Sequence, residues 1–159
     1  MKAAEDWRAS EIPNQIYVAA RQPVSAGHVH YDLKALVRNA DLCSTLERGA
    51  YMQPALVPAS PWLGRGVTNR PEFFLSGMKS GDLRFTIKPA KGEDVARWAL
   101  QTRVDGKWKT ELLNGGTRAY HFDGAEPEVI AVTAVDRFGN SGTPVVMQKE
   151  TSHVENHHH

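Results

Sequence analysis

Cysteine is nearly absent from this chain: Cys43 stands alone, so no internal disulfide can form and cysteine usage says nothing of the redox compartment. Charge of one sign is missing as well. Nineteen Lys and Arg against 18 Asp and Glu leave a net charge of +1, which removes the electrostatic footprint of a partner for nucleic acid or an anionic membrane. No apolar run approaches the roughly 20 residues that cross a bilayer, so no membrane span is expected. No signal-like segment follows Met1 either, and the expectation is a cytosolic chain or an internal piece of a longer one. Catalytic constellations are lacking too. No Ser/His/Asp or Cys/His arrangement is readable, and Cys43 sits on an apolar helix stripe where burial accounts for it. Glu93, Asp94 and Glu111 fall on loops or polar strand faces, with no sign of the converging pair that a glycosidase needs. No catalytic residue is therefore assigned, and no cofactor or metal is expected. The closing His157, His158 and His159 resemble a purification tag, so Ser152 to His159 are set aside and an excised fragment is expected.

What is present is strand pattern. The 159 residues suffice for one full domain and a remnant of another. Val129 to Met147, VIAVTAVDRFGNSGTPVVM, reads as two strands joined by a tight polar loop. Ile130, Val132 and Ala134 share one face, and Val129, Ala131, Thr133 and Val135 the other. Both faces are apolar, which predicts a central strand. Asp136, Gly139, Asn140 and Gly142 supply the turn, and Pro144 opens the returning strand. This ending resembles the last hairpin of fibronectin type III and related immunoglobulin-like domains, an architecture that carries no chemistry of its own.

Upstream of that hairpin the pattern stays β. Strands are predicted near 72–77, 82–88, 96–104, 107–113, 118–122, 128–135 and 144–149, and seven short strands fit a sandwich. Leu83, Phe85 and Ile87 alternate with Arg84, Thr86 and Lys88, as on a half-buried antiparallel strand. Trp98, Leu100, Thr102 and Val104 form the inward set of the next strand. Asp105-Gly106 then separates two alternating runs, a signature of the type I′ hairpin turn, in which both central residues take positive φ.

Residues 1–49 read differently. Ile12, Ile16, Ala19 and Ala20 recur at helical spacing, with Ser10 as N-cap and Pro13 in the first turn, which predicts a helix over 11–21. His28 to Asp32 alternate as on a short strand. Leu33, Leu36, Val37, Ala40, Cys43 and Leu46 then line one stripe of a helix that ends at Gly49. Such an α-β-α slice leaves both edges of its strand unpaired, so it needs neighbours from elsewhere. Residues 50–71 hold Pro54, Pro58, Pro61 and Pro71 and read as an ordered linker; Leu56, Val57, Trp62 and Leu63 are apolar enough to lie against a surface. The fold class is thus mainly β: an immunoglobulin- or fibronectin III-like antiparallel sandwich over 72–150, preceded by a short α-β-α segment over 1–49 and the 50–71 linker, and followed by a tail over 151–159.

The order of these features resembles the C-terminal part of a bacterial family known as glycosyl hydrolase-like 10, in which a (β/α)8 barrel is joined to a fibronectin-like domain. Gln15 to Arg21 match a "Q-I-x-x-x-R" stretch with one extra residue, and Gly27 to Asp32 match "G-x-V-H-x-S" with Asp32 in place of Ser. Tyr51, Pro54, Ala55, Leu56, Pro58, Trp62 and Leu63 follow "Y-x-x-P-A-L-x-P-x-x-P-W-L". Val132, Thr133, Ala134, Asp136, Arg137 and Asn140 follow "V-T-A-x-D-R-x-x-N", while Ile130 replaces a usual Tyr. Over roughly residues 11–149 the resemblance implies that most of a barrel lies upstream, as a partner within the same protein. It also implies a non-catalytic bracing role beside a polysaccharide-directed domain, in a periplasmic, extracellular or cell-surface setting.

The candidate site residues are His30, Asp32 and Trp108, each with an alternative reading. His28, His30 and Asp32 project from one strand face, but three ligands spread over about 13 Å at 3.3 Å per residue do not share one ion without a bend. At the mouth of a parent barrel, His30 and Asp32 would contact substrate. Trp98 and Trp108 offer faces for sugar stacking. For Trp98 the competing reading is the buried Trp that recurs on the corresponding strand of such sandwiches. For Trp108 it is pairing across the hairpin with Arg103. Polysaccharide binding through exposed aromatics is the alternative to the bracing role.

Overall fold

A computed structural model describes residues 8–25, 27–64, 66, 67, 69–79 and 82–149. The tail set aside above lies outside the described residues. The chain divides into two compact units, Met1–Pro58 and Ala59–His159.

In the first unit, helix α1 spans Glu11–Ala20, α2 Leu33–Arg38 and α3 Ala40–Arg48. Ser10 is not the expected capping residue: its backbone is already helical and its hydroxyl makes no capping bond, while Arg8 and Ser10 carbonyls accept from Glu11 and Asn14 N–H. The apolar stripe after Asp32 forms two helices rather than one. Asn39 interrupts it at φ −121° and ψ 89°, and its side-chain oxygen accepts from Leu42 N–H at 2.9 Å, a local bond that competes with helix continuation. Ile12 and Ile16 of α1 pack with Leu42 and Leu46 of α3, flanked by Leu36 and Ala50. The Cys43 thiol donates to the Leu36 carbonyl at 2.9 Å, which fits its expected place on a helix face.

The strand expected over His28 to Asp32 does not form. This segment keeps the alternation, with His28 and His30 half-buried and Val29 and Tyr31 exposed, but it joins no described strand in a ladder. A strand is defined by its ladder, and a lone extended segment has none.

In the second unit seven strands form where the alternation placed them: β1 Glu72–Lys79, β2 Asp82–Lys88, β3 Arg97–Val104, β4 Lys107–Asn114, β5 Ala119–Phe122, β6 Val129–Val135 and β7 Val145–Gln148. They build a three-stranded sheet, β1-β2-β5, and a four-stranded sheet, β4-β3-β6-β7, antiparallel throughout. This is a fibronectin III-like sandwich. Asp105 and Gly106 both have positive φ, 49° and 72°, as the β3–β4 hairpin requires. Strand β6 is central, since β3 and β7 flank it, and it is buried along both faces, with Thr133 alone half-buried.

The register sets the core. Trp98 opposes Leu113 and Ala134, and Leu100 opposes Glu111 and Val132, so Trp98, Leu100, Val132 and Ala134 share the inner face. They meet Leu83, Phe85 and Ile87 of β2 and Phe122 of β5. Phe85 lies 4.9 Å from Phe73 and 5.1 Å from Tyr120 between ring centroids. The latter half of the stretch expected as a linker belongs to this unit. Val67 is buried in its core, Ser60 N–H donates to the Phe138 carbonyl, and Asn69 donates from backbone and side chain to Glu93. Trp62 and Leu63, expected against a surface, lie on the short helical turn Pro61–Leu63 and are exposed.

Candidate functional site

The most concentrated chemistry lies in the first unit. On an extended segment, residues two apart point the same way, which brings the His28 and His30 rings to 5.2 Å between centroids, edge to face. Tyr51, which follows α3, closes the group from a second segment. Its hydroxyl lies 2.5 Å from His28 Nε2 and is also hydrogen-bonded to His30 Nε2. Because a hydroxyl has one hydrogen, it donates to one imidazole and accepts from the N–H of the other. The Tyr51 ring stacks on His28 at 5.7 Å and meets His30 edge-on at 5.9 Å. Burial, then the neighbouring His28, hold His30 below the usual imidazole pKa; burial raises that of Tyr51.

Asp32 takes no part in the contacts of this group. It precedes α2 with extended backbone, makes no capping bond, and is exposed. Among the described residues no three His, Cys, Asp or Glu side chains gather as a metal-binding group. Of the residues singled out in the sequence, the structure thus joins His30 to His28 and leaves Asp32 apart. Tyr51 was missed, because nothing in a sequence shows that a residue 21 positions downstream of His30 returns to it.

Trp108 lies on β4, opposite Arg103 of β3. The Arg103 guanidinium carbon is 5.9 Å from the Trp108 ring centroid, and its Nε donates to Glu128 Oε2 at 2.7 Å. Glu128 Oε1 accepts from Gly106 N–H at 3.1 Å, so one carboxylate ties the hairpin turn to the edge of β6. Trp108 remains 48% exposed on the outer face of the four-stranded sheet, and it is the one aromatic there among the described strand residues. No row of stacking platforms forms on this face among the described residues. Trp98, by contrast, is 0% exposed, and its indole N–H donates to the Gly115 carbonyl at 3.2 Å.

The carboxylates also have local duties. Glu111 accepts from the Tyr120 hydroxyl at 2.9 Å and lies 3.2 Å from Lys109 Nζ, linking the edge strands β4 and β5 of the two sheets. Burial, then this bond, push the Tyr120 pKa up to about 12. Glu93 holds Asn69. The two carboxylates therefore anchor different parts of the sandwich. In the first unit a depression of about 450 Å³ is lined by Ser10, Asn14, Tyr17, Thr45 and Arg48, without an acid that could act as a general base. No helix among the described residues is long and apolar enough to cross a membrane.

No family model matches this chain, and no curated protein matches it. Solved structures similar to it are fibronectin type III domains. One from human collagen XX is 16% identical with a TM-score of 0.43, covering 60% of this chain and 100% of that one. The FN3tt mutant is 17% identical with a TM-score of 0.40, covering 51% and 92%.

Proposed function

We propose that this chain is a non-catalytic accessory region of a glycoside-hydrolase-like protein, in which the sandwich braces a barrel whose last elements are the helices of the first unit. The observation that supports this reading is the apolar surface that the first unit leaves open. Among the described residues of the unit the buried apolar side chains are Ile12, Pro13, Ile16, Leu42 and Leu46, while Val29, Leu33 and Val37 are each more than two-thirds exposed. Leu33 and Val37 lie one turn apart on α2, and adjacent apolar exposure of this kind suits a surface that a further element covers. The sequence resemblance supplies the identity of the cover: the preceding strands and helices of a barrel, in a protein acting on polysaccharide outside the cytoplasm. A second reading, a carbohydrate-binding module, draws support from the half-exposed indole of Trp108.

The test extends the chain through the upstream sequence of its own reading frame and follows amide hydrogen exchange. Exchange in α1 and α3 should slow by at least tenfold, about 1.4 kcal/mol or more of added protection, with β6 unchanged. An upstream sequence without a barrel pattern, or unchanged exchange, overturns bracing. In parallel, the chain should hydrolyse no polysaccharide in a panel of α- and β-linked glycans. Turnover lost in Glu111→Gln or Asp32→Asn would refute the non-catalytic reading. Binding without turnover that is lost in Trp108→Ala would establish the second one.

A further inference from the structure

We infer that His28, His30 and Tyr51 form a binding site for one divalent transition-metal ion of borderline softness, Zn²⁺ or Cu²⁺. The inference is independent of the bracing role, because it rests on the convergence of three donor atoms within one unit. His28 Nε2 and His30 Nε2 both meet the same atom, Tyr51 Oη. Imidazole nitrogens and a phenolate oxygen are the donors that Zn²⁺ and Cu²⁺ take in preference to Mg²⁺ or Ca²⁺.

The backbone explains why the group can chelate. Two histidines separated by one residue on an extended segment place both rings on one side, and Val29 between them points away, 79% exposed. A third donor from the same segment would lie too far off, which is why Asp32 fails. Tyr51 succeeds because it arrives from a different part of the chain. Around an ion bound at about 2.0 to 2.1 Å, tetrahedral donors sit about 3.3 Å apart. His28 Nε2 is 2.5 Å from Tyr51 Oη, so this pair of donors parts by less than about 1 Å to admit the ion. Side-chain rotation suffices, since all three residues are partly exposed. Three protein donors leave the fourth position to water, the open arrangement of zinc sites that do more than hold a fold together. Binding replaces the phenolic proton, which is released to solvent, and the imidazole whose Nε2 carried hydrogen takes the Nδ1–H tautomer so that both Nε2 lone pairs face the ion.

The experiment titrates Zn²⁺ and Cu²⁺ into the 159-residue chain with His157, His158 and His159 replaced by Ala, so that these histidines do not compete. Calorimetry should show one equivalent of Zn²⁺, weakened at least tenfold by His30→Ala and by Tyr51→Phe, as expected for loss of one of three ligands. Cu²⁺ should produce a phenolate-to-copper charge-transfer absorption that Tyr51→Phe abolishes and that the unsubstituted site shows regardless of how any variant folds. Absence of saturable binding overturns the inference. So does binding that survives either substitution, or copper binding without the phenolate band.

Discussion

Replacing Trp98 tests the sandwich core at its largest fully buried side chain. Truncation to Ala removes the indole from between Leu113 and Ala134, which the β3–β4 and β3–β6 ladders hold in register, so the walls have little freedom to collapse. The cost should fall in the upper part of the about 3 to 5 kcal/mol seen for buried aromatics. Trp98→Phe keeps one ring and loses the bond to the Gly115 carbonyl. That carbonyl is not orphaned, because Arg118 Nη1 also donates to it at 2.7 Å. A loss of about 1 to 2 kcal/mol is therefore expected, the lost bond plus a small cavity. Combining Trp98→Phe with Arg118→Ala removes both donors, so the double variant should lose about 1 kcal/mol more than the two single losses together. Urea titration followed by the amide resonances of β6 reads the sandwich without interference from the helical unit. A Trp98→Ala loss under about 1 kcal/mol, equal losses for Ala and Phe, or strict additivity would each refute the reasoning.

Gly115→Ala should be about as damaging as Trp98→Ala, roughly 3 kcal/mol or more, because the new Cβ would lie 1.8 Å from the Val95 carbonyl oxygen and a backbone atom must move; a melting temperature within a few degrees of the parent would contradict this. Asp136 accepts from Phe138 N–H, Asn140 N–H and Asn140 Nδ2, and Asp136→Ala should cost about 2 kcal/mol. Burial alone would raise the Asp136 pKa, but the bonds from Asn140 and Phe138 outweigh it and hold the pKa below the usual Asp value. A depressed folded-state pKa adds stability that is complete above the unfolded value, about 3.9, and is lost as pH falls through the folded one. Urea midpoints of the parent should accordingly drop more steeply below about pH 4 than those of Asp136→Ala, and parallel curves would refute the assignment.

The sandwich was legible because its signals were redundant. Alternation in β2, β3 and β6 fixed which side chains turn inward, and Asp105-Gly106 fixed the turn that joins β3 to β4. The first unit carried single signals that competing local effects overrode. The apolar stripe from Leu33 to Leu46 was readable as helix, but the Asn39 side chain took Leu42 N–H and split it. The His28–Asp32 alternation was readable as extended chain, yet a ladder depends on a neighbouring strand and no described strand lies along it. Likewise His30 and Trp108 could be named as candidates, whereas their partners differ in kind. Arg103 was predictable for Trp108 from hairpin register alone; Tyr51 reaches His28 and His30 only through the tertiary path of α2 and α3.

The fate of the same stripe also bears on what the first unit is for. A helical stripe normally faces a core, and Leu42 and Leu46 do so, but Leu33 and Val37, one turn apart on α2, are left 69% and 76% exposed. Propensity alone does not hold a six-residue helix such as α2 in water, because nucleation outweighs the few bonds gained. Its stability must come from what it packs against, and within the unit only the half-buried Leu36 joins the core. A cover over Leu33 and Val37 would supply the missing burial, at about 1.5 to 3 kcal/mol for each side chain fully enclosed.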